Sequence, residues 1–396
     1  MKKLFSLILA LAMVFALAAC GSDSGSAPAA AGSAPAASAN GEDAAPAASG
    51  QSFNIGAVTT GSTDATSKPL YDSMEQAIKA LGCNYIESAM EEDSGDGVLN
   101  AVNNLLSTGV DGLIVPNVAS MYGLIPTIAD LCEQNKVYFS LFWTNLDEGT
   151  EEYDACMNNP YFISTTCEDD VYSGYWAASV VGKLGVEKIC TITLPDGFTT
   201  TNMRNEGLEK ACKEYNMTVL GSCSDVSLTT SSAGGTTITE DFLAAYPDTE
   251  AIVVLGMSQY VLPGIAQALE DANRTDIQVA GIDFNEYQQD YMNSGILDGI
   301  IGGHFAGPTY SVILMVNRLQ GNPLAESGVI LRDSFIELGS AEEADEYATK
   351  IYGNCLYTDE QLANCLVSNN PDFTYDDLVA IADAYGLEDI LSRTQG

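Results

Sequence analysis

The feature that most constrains the fold is a regular alternation of short apolar runs with amphipathic stretches, which begins after a low-complexity N-terminal region. The predicted strands of the first half are 53–58, 84–87, 112–115 and 137–143. Helices are predicted between them at 70–81, 98–106 and 125–134. The run 112–115 is almost entirely apolar, as expected where helices cover both faces of a sheet. Alternation at this spacing predicts right-handed βαβ units and a parallel sheet.

The same pattern starts again in the second half of the chain. Strands are predicted at 188–192, 217–220, 251–255 and 277–282, and helices at 205–215, 262–272 and 286–294. About 345 residues follow the low-complexity region, more than one hydrophobic core usually serves. The sequence therefore predicts an α/β protein of two doubly wound parallel-sheet lobes. A ligand cleft is expected between the carboxyl ends of their strands.

The N-terminus has the pattern of an export signal. Lys2 and Lys3 precede an apolar run over 4–19, and Leu17-Ala18-Ala19-Cys20 resembles a bacterial lipobox. We expect residues 1–19 to be removed and Cys20 to carry the lipid that holds the protein on the extracytoplasmic face of the membrane. An ordinary secretory signal with an incidental cysteine is the alternative. Residues 21–51 are mainly Gly, Ser, Ala and Pro, which predicts a flexible tether with a reach of roughly 30 Å.

Charge and composition exclude several classes of protein. The formal net charge of −39 repels nucleic acid and anionic lipid headgroups, so neither is expected as a partner. The single histidine, His304, disfavours the usual zinc sites, and no metal or cofactor is expected. The chain has no Gly-x-Ser-x-Gly, P-loop, His-Glu-x-x-His or dinucleotide motif, so we predict no catalytic residues and no enzyme.

Several segments, taken in order, resemble the sugar-binding branch of the type I periplasmic-binding-protein superfamily. They are Gly109-Val110-Asp111-Gly112 at a strand entry, Asp169-Asp170-Val171-Tyr172-Ser173-Gly174, Arg204-Asn205-Glu206-Gly207 at a helix start and Gly281-Ile282-Asp283 at a strand end. Each is weak alone, but the combined match covers roughly residues 52 to 347. The related repressors carry a helix-turn-helix where this chain has its lipobox and tether.

The resemblance implies a monomeric substrate-binding lipoprotein that closes on a small polar ligand, most plausibly a sugar, and delivers it to an ABC transporter permease. It implies crossings between the lobes near 162–166, 301–306 and 329–336. The expected domains are residues 52–167 with 306–330 for the N-terminal lobe, and 168–305 with 331–396 for the C-terminal lobe. We expect the amphipathic segment 376–385 to pack on the second of these.

Nine residues are predicted to contact the ligand. Arg204 offers a planar set of donors for vicinal hydroxyls or a carboxylate, and Asp283 can accept from two hydroxyls or can instead cap the next helix. An indole at Trp143 can stack on a sugar or a nucleobase, or can be an ordinary buried aromatic. The resemblance adds six further positions: Tyr71, Lys68, His304, Ser258, Gln259 and Asp169.

Two departures from the family pattern leave the ligand open. Trp143 stands where relatives often have Asp, and Ser258-Gln259 where they often have Asn-Asp. Because a buried polar group left unpaired rejects a ligand, these exchanges should change which solute fits. A substituted sugar, an oligosaccharide, a nucleoside and a cyclic polyol are all compatible. A ligand-sensing co-receptor for a chemoreceptor or histidine kinase would use the same fold and remains the alternative function.

Overall fold

The computed structural model describes residues 52–394, except residues 93, 118–120 and 195–198. The predicted signal peptide, Cys20 and the tether lie outside the described residues. Within them, the chain forms two six-stranded sheets with helices between the strands in sequence. This confirms the predicted α/β class.

The first sheet has the strand order β11-β5-β4-β3-β1-β2, and every pair in it is parallel. Its strands are β1 (Asn54–Thr59), β2 (Asn84–Ala89), β3 (Gly112–Pro116), β4 (Tyr138–Phe142), β5 (Phe162–Glu168) and β11 (Val329–Asp333). Its helices are α1 (Ser67–Ala80), α2 (Gly95–Thr108), α3 (Ile125–Asn135), α4 (Glu151–Met157) and α11 (Gly307–Leu319). We call this sheet with its helices the first lobe.

The second sheet has the order β12-β10-β9-β8-β6-β7. Its strands are β6 (Lys188–Ile192), β7 (Thr218–Cys223), β8 (Ala251–Val254), β9 (Gln278–Ile282), β10 (Gly299–Gly302) and β12 (Ile336–Leu338). Its helices are α5 (Asp170–Lys183), α6 (Thr199–Tyr215), α7 (Val226–Thr229), α8 (Ser232–Ala245), α9 (Ser258–Asp271) and α10 (Gln288–Ser294). The edge strand β12 runs antiparallel to β10, a reversal that the strand–helix alternation does not predict. This sheet with its helices is the second lobe.

Local sequence accounts for where these elements lie. Every residue of β3 is buried, in agreement with its continuous apolar run. Helix α2 begins where the Ser94 side chain accepts from the Gly97 amide, and it ends at Gly109, whose φ of 77° is a left-handed cap. Side chains at helical spacing on α2, including Val98, Ala101, Val102 and Leu105, are buried.

The chain passes between the lobes at three places. It leaves β5 for α5 at Asp169, returns from β10 to α11 through residues 303–306, and passes from β11 to β12 through Ser334 and Phe335. Because β5 pairs with β11 as far as Glu168 and Asp333, the first sheet extends up to two of these crossings.

The C-terminal segment corrects one expectation. The predicted helix 376–385 forms as α14 (Tyr375–Ala384), but it contacts β11 and α11 of the first lobe rather than the second lobe. Its buried residues Leu378 and Ala382 supply the apolar face that makes this contact. Three other helices complete the segment: α12 (Ala341–Glu346), α13 (Asp359–Ala363) and α15 (Leu387–Thr394). A π-helix over Tyr347–Ile351 follows α12.

Two glycines allow α5 and α6 to pack with their backbones in contact. A Cβ placed on Gly174 would lie 2.0 Å from the Arg204 carbonyl oxygen, and one on Gly207 would lie 2.0 Å from the Val171 carbonyl oxygen. Neither distance is physically possible for a real side chain. The glycines of the two family-like motifs therefore set the separation of the helices that carry Asp170 and Arg204.

Replacing Gly207 with alanine should destabilise the fold. The added methyl group must push the two helix backbones apart, at a cost of about 1–3 kcal/mol, as in other overpacked interiors. Gly123→Ala is the matched control, because Gly123 is exposed and a Cβ there meets no atom within 4 Å. Urea unfolding should show a lowered free energy of unfolding for Gly207→Ala and a change within about 0.5 kcal/mol for Gly123→Ala. Equal values for the two variants would contradict the close helix contact.

Candidate ligand-binding site

Strained backbone marks the carboxyl ends of strands in both lobes. Trp143 follows β4, Met257 lies between β8 and α9, and Asp283 follows β9, and these residues have φ values of 56°, 65° and 77°. Non-glycine residues rarely adopt positive φ, and such positions gather at binding and catalytic sites. Two of the three, Trp143 and Asp283, are residues that the sequence predicts at the ligand.

Arg204 lies at the centre of a buried group of charges in the second lobe. Its Nε donates to Asp170 Oδ1 at 2.8 Å, and its Nη1 donates to the Leu255 carbonyl oxygen at 3.0 Å. Asp283 Oδ2 lies 3.9 Å from the same Nη1 and accepts from the Met257 amide at 2.9 Å. Asp283 thus ties the loops after β8 and β9 together and does not cap α10, whose N-cap is Tyr287.

Asp170 also joins this group to the first lobe. Its Oδ2 accepts from Asn145 Nδ2 at 3.1 Å, and Asn145 follows β4. Asn145 Oδ1 in turn accepts from Arg332 at 3.1 Å. A continuous set of hydrogen bonds therefore runs from Arg204 through Asp170 to the first lobe.

Buried titratable side chains lie at or beside all three crossings: Glu168 and Asp170 flank the first, His304 lies in the second, and Asp333 precedes the third. Burial raises the pKa of Glu168 and of Asp333 well above the usual range, and the negative charge of Asp170 adds to both shifts. Burial also lowers the pKa of His304. The raised pKa values of the two carboxyl groups and the lowered pKa of the histidine all favour the neutral forms. His304 is therefore an uncharged imidazole at neutral pH, with one nitrogen able to donate and one able to accept.

Several buried polar atoms have no hydrogen-bond partner among the described residues. Around the crossings and the strand ends they include Trp143 Nε1, His304 Nδ1, Gln259 Oε1 and Thr66 Oγ1. The Trp143 and His304 rings are in contact, with centroids 6.2 Å apart. Buried polar groups in proteins are nearly always paired, with protein, water or ligand. These atoms are therefore candidates for contact with water or with a ligand.

The Ser258 side chain packs against the backbone of the second lobe. Its hydroxyl is buried and unpaired within the described part of the chain, but it occupies the space over Gly281, where a Cβ would lie 2.5 Å from it. The Gly281 of the Gly-Ile-Asp motif therefore makes room for Ser258. Both Ser258 and Gln259 accept from Asn285 Nδ2 through their backbone carbonyls, at 3.4 and 3.0 Å.

Three other predicted residues have structural partners. Tyr71 is buried, and its hydroxyl accepts from the Thr60 amide at 3.0 Å, which fixes the loop between β1 and α1. Lys68 is exposed and pairs with Asp72 one helical turn away, at 2.5 Å, so its side chain is a solvated surface charge.

Asp169 is exposed and its Oδ1 caps α5 by accepting from the Tyr172 amide at 2.9 Å. The buried carboxyl group is that of the next residue, Asp170. The sequence contains a signal for this: Asp170, Gly174, Ala177 and Val181 recur at helical spacing on the buried face of α5, whereas Asp169 precedes the helix. Asn145 and Glu168 lack any such periodic signal.

The lobes also touch away from the crossings. The Tyr260 hydroxyl on α9 donates to Asp64 Oδ2 at 3.4 Å, and Thr199 Oγ1 on α6 donates to Asp147 Oδ2 at 3.1 Å. Asp64 and Asp147 belong to loops of the first lobe, after β1 and β4. Hydrogen bonds on both sides of the strand ends show that the lobes are closed on each other.

Two closed lobes and three crossings are the architecture of a bilobal binding protein, and the sequence profile of the periplasmic binding protein domain matches residues 39–323. The chain belongs to this family. Members are non-enzymatic substrate-binding proteins of ABC transporters that act outside the cytoplasm, in agreement with the absence of catalytic motifs from the sequence. A search of curated proteins gives no significant match.

Solved structures of binding proteins share this fold at low sequence identity. A periplasmic sugar-binding protein from Pseudomonas fluorescens has a TM-score of 0.67 at 16% identity, over 86% of this chain and 99% of its own. An ABC transporter periplasmic solute-binding protein from Actinobacillus succinogenes with bound D-allose has a TM-score of 0.64 at 16% identity, over 74% and 100%. One from Bacillus halodurans with bound myo-inositol has a TM-score of 0.57 at 19% identity, over 76% and 97%.

In the described part of this binding protein, no helix is long and apolar enough to cross a membrane.

Removing the Arg204 guanidinium should destabilise the ligand-free fold in addition to any effect on binding. Arg204→Ala leaves Asp170 and Asp283 buried without their counter-charge, and breaking a buried pair in this way costs about 3–5 kcal/mol. Lys210→Ala is the control, since Lys210 on the same helix pairs with exposed Glu206 and an exposed pair contributes less than about 1 kcal/mol. Thermal unfolding without ligand should separate the two variants clearly. A small, equal loss in both would show that Arg204 has no such structural role.

Proposed function

We propose that this protein captures a sugar or a sugar-like cyclic polyol between its lobes and delivers it to an ABC importer. The observation that carries the proposal is the contact between the Trp143 and His304 rings, whose Nε1 and Nδ1 atoms are buried without a partner among the described residues. Gln259 Oε1, near the start of α9, is a further buried atom of this kind. A polyhydroxylated ring suits such a site, because its hydroxyls both donate and accept while its C–H face packs on an indole.

The charged cluster adds the remaining contacts. Nε and Nη1 of Arg204 are engaged by Asp170 and Leu255, so Nη2 is the nitrogen that can donate to a ligand. Asp283 uses one oxygen for the Met257 amide and has its other oxygen available for a sugar hydroxyl. Asp170 replaces the predicted Asp169 in this proposal, because it is the buried carboxyl group that contacts Arg204.

Known structures of the same fold support the ligand class. Members with similar folds were solved with D-allose, with α-D-tagatopyranose and with myo-inositol, which are all compact rings or sugars with several hydroxyls. Since a net charge of −39 repels anionic solutes, we favour a neutral sugar or cyclitol.

The proposal includes the mode of attachment and the binding cycle. Cys20 carries the lipid and residues 21–51 form the tether, so a monomeric receptor stays on the extracytoplasmic face within reach of its permease. In the cycle, the ligand contacts both lobes in the closed state alone, and this difference in contacts shifts the hinge toward closure.

Thermal unfolding against a panel of neutral sugars, cyclitols, nucleosides and amino acids tests the ligand class. A ligand at about a thousand times its Kd should add roughly 4 kcal/mol and raise the melting temperature by several degrees. We expect a shift from one or a few sugars or cyclitols. A shift from nucleosides or amino acids alone would overturn the proposed class, and no shift from any compound, with folded and ligand-free protein, would overturn solute capture.

A pair of glutamines on α9 then tests the site. Gln259→Ala removes a buried Oε1 that has no partner among the described residues. It should raise the Kd of the sugar that emerges from the panel roughly tenfold, the effect of about 1–2 kcal/mol of lost hydrogen bonding. Gln267→Ala is the matched control, because Gln267 is exposed on the same helix and bonds Asp271. Calorimetric affinities that agree for the two variants would place the ligand elsewhere.

A further inference from the structure

The chain beyond β12 lies outside the matched family range and contacts both lobes. On the second lobe, Asp345 accepts from the side chains of Gln289 and Asn293 at 2.6 and 3.1 Å. The ring of Tyr347 packs against Phe284 with centroids 4.7 Å apart. These contacts fix α12 and the π-helix to the side of the second lobe that carries α10.

The same chain then passes to the first lobe. Gln76 Nε2 on α1 donates to the Tyr357 carbonyl oxygen at 2.8 Å, and the Tyr310 and Tyr357 hydroxyls are 2.7 Å apart. Asn317 Nδ2 on α11 donates to the Cys365 carbonyl oxygen at 2.9 Å. We call residues 340–394 the C-terminal extension; it is therefore held by both lobes.

The end of α14 binds two of the three crossings directly. The Tyr385 hydroxyl donates to the Gly303 carbonyl oxygen in a short hydrogen bond. At the third crossing, the Ser334 amide donates to the Ala382 carbonyl oxygen at 3.3 Å, and Ser334 Oγ donates to the Asp383 carbonyl oxygen at 3.1 Å. A helix fixed to the first lobe thus holds segments whose backbone must rotate when the lobes open.

Gly303, which accepts from the Tyr385 hydroxyl, has little conformational freedom. Its φ is 68°, and a Cβ there would lie 2.8 Å from atoms of Ile336 and Phe284. It directly precedes His304, whose ring contacts Trp143. Because Tyr385 is buried, its hydroxyl has the Gly303 carbonyl as a partner in place of water. The Gly303 carbonyl also accepts from the Phe305 amide at 2.7 Å, so Tyr385 and Phe305 together hold the Gly303 peptide next to His304.

We propose that Tyr385 is a positioning residue for ligand binding. It stabilises the conformation of Gly303 that closed lobes require, so the C-terminal extension biases the hinge toward closure and increases affinity without touching the ligand. When the second lobe rotates away, the Gly303 carbonyl turns and this hydrogen bond is lost. A hinge contact formed in one state shifts the equilibrium toward that state.

Tyr385→Phe and Tyr357→Phe, each in the full chain, form a matched pair. Both remove a buried hydroxyl of the extension, but the Tyr357 hydroxyl bonds Tyr310 on α11 and not a crossing. We expect Tyr385→Phe to raise the Kd for the bound sugar about three- to tenfold, the range set by one net hydrogen bond. Both variants should lower the melting temperature by similar amounts, since each loses one buried hydroxyl, but Tyr357→Phe should leave the Kd within about twofold.

The affinity measurement rests on the proposed function, so small-angle scattering of the ligand-free proteins provides an independent test. Tyr385→Phe should shift the scattering profile toward a more open, larger particle, whereas Tyr357→Phe should match the unmodified protein. If the three ligand-free profiles coincide, the hinge role is wrong whatever the ligand. If Tyr385→Phe lowers the melting temperature while its Kd stays equal to that of Tyr357→Phe, Tyr385 is structural and the proposal fails.

Discussion

The Arg204 guanidinium is buried against Asp170 and Asp283, and the placement of the binding site depends on that interaction. A buried cation is tolerated when its donors are paired with good geometry, and here Asp170 and the Leu255 carbonyl oxygen provide those partners. The geometry is possible because Gly174 and Gly207 let α5 and α6 approach with their backbones in contact. The same carboxyl group of Asp170 reaches Asn145 in the first lobe. One charge cluster thus joins several elements of the second lobe and also forms a hydrogen bond to the first lobe.

The hinge has the opposite electrostatic character. Three titratable side chains are buried at or beside the crossings: Glu168, Asp333 and His304. Burial raises the pKa of the two carboxyl groups and lowers that of the histidine, so it favours the uncharged form of each. Charged side chains at these positions would need water in one state of the hinge and lose it in the other, which would add a desolvation cost to every closure. In the proposed binding cycle, neutral groups would reduce that cost, and the ligand and the contact between Tyr385 and Gly303 would favour closure.

Local periodicity predicted most of the fold and a part of the site. The strand–helix alternation predicted eight of the twelve strands in the described residues, because parallel strands covered on both faces have continuous apolar runs. The four that it did not predict are β5, β10, β11 and β12. The antiparallel β12 and the packing of α14 on the first lobe were not predictable in the same way, since both depend on contacts distant in sequence. The structure brings five of the predicted ligand residues to the strand ends and the crossings: Arg204, Trp143, Asp283, His304 and Gln259. Lys68 and Asp169 instead lie at the surface, where an i,i+4 pair and an N-cap satisfy their charges.

The central claim is that the ligand lies against Trp143 between the closed lobes. The protein has two tryptophans, and Trp176 is held on α5 by its hydrogen bond to Glu337 at 2.7 Å. In Trp176→Phe, excitation at the long-wavelength edge, where tyrosine does not absorb, therefore makes the emission a report of Trp143 alone. The account predicts a saturable change in this emission on titration with the bound sugar, with the same Kd that calorimetry gives. An emission spectrum that stays constant while calorimetry shows binding would contradict the proposed site.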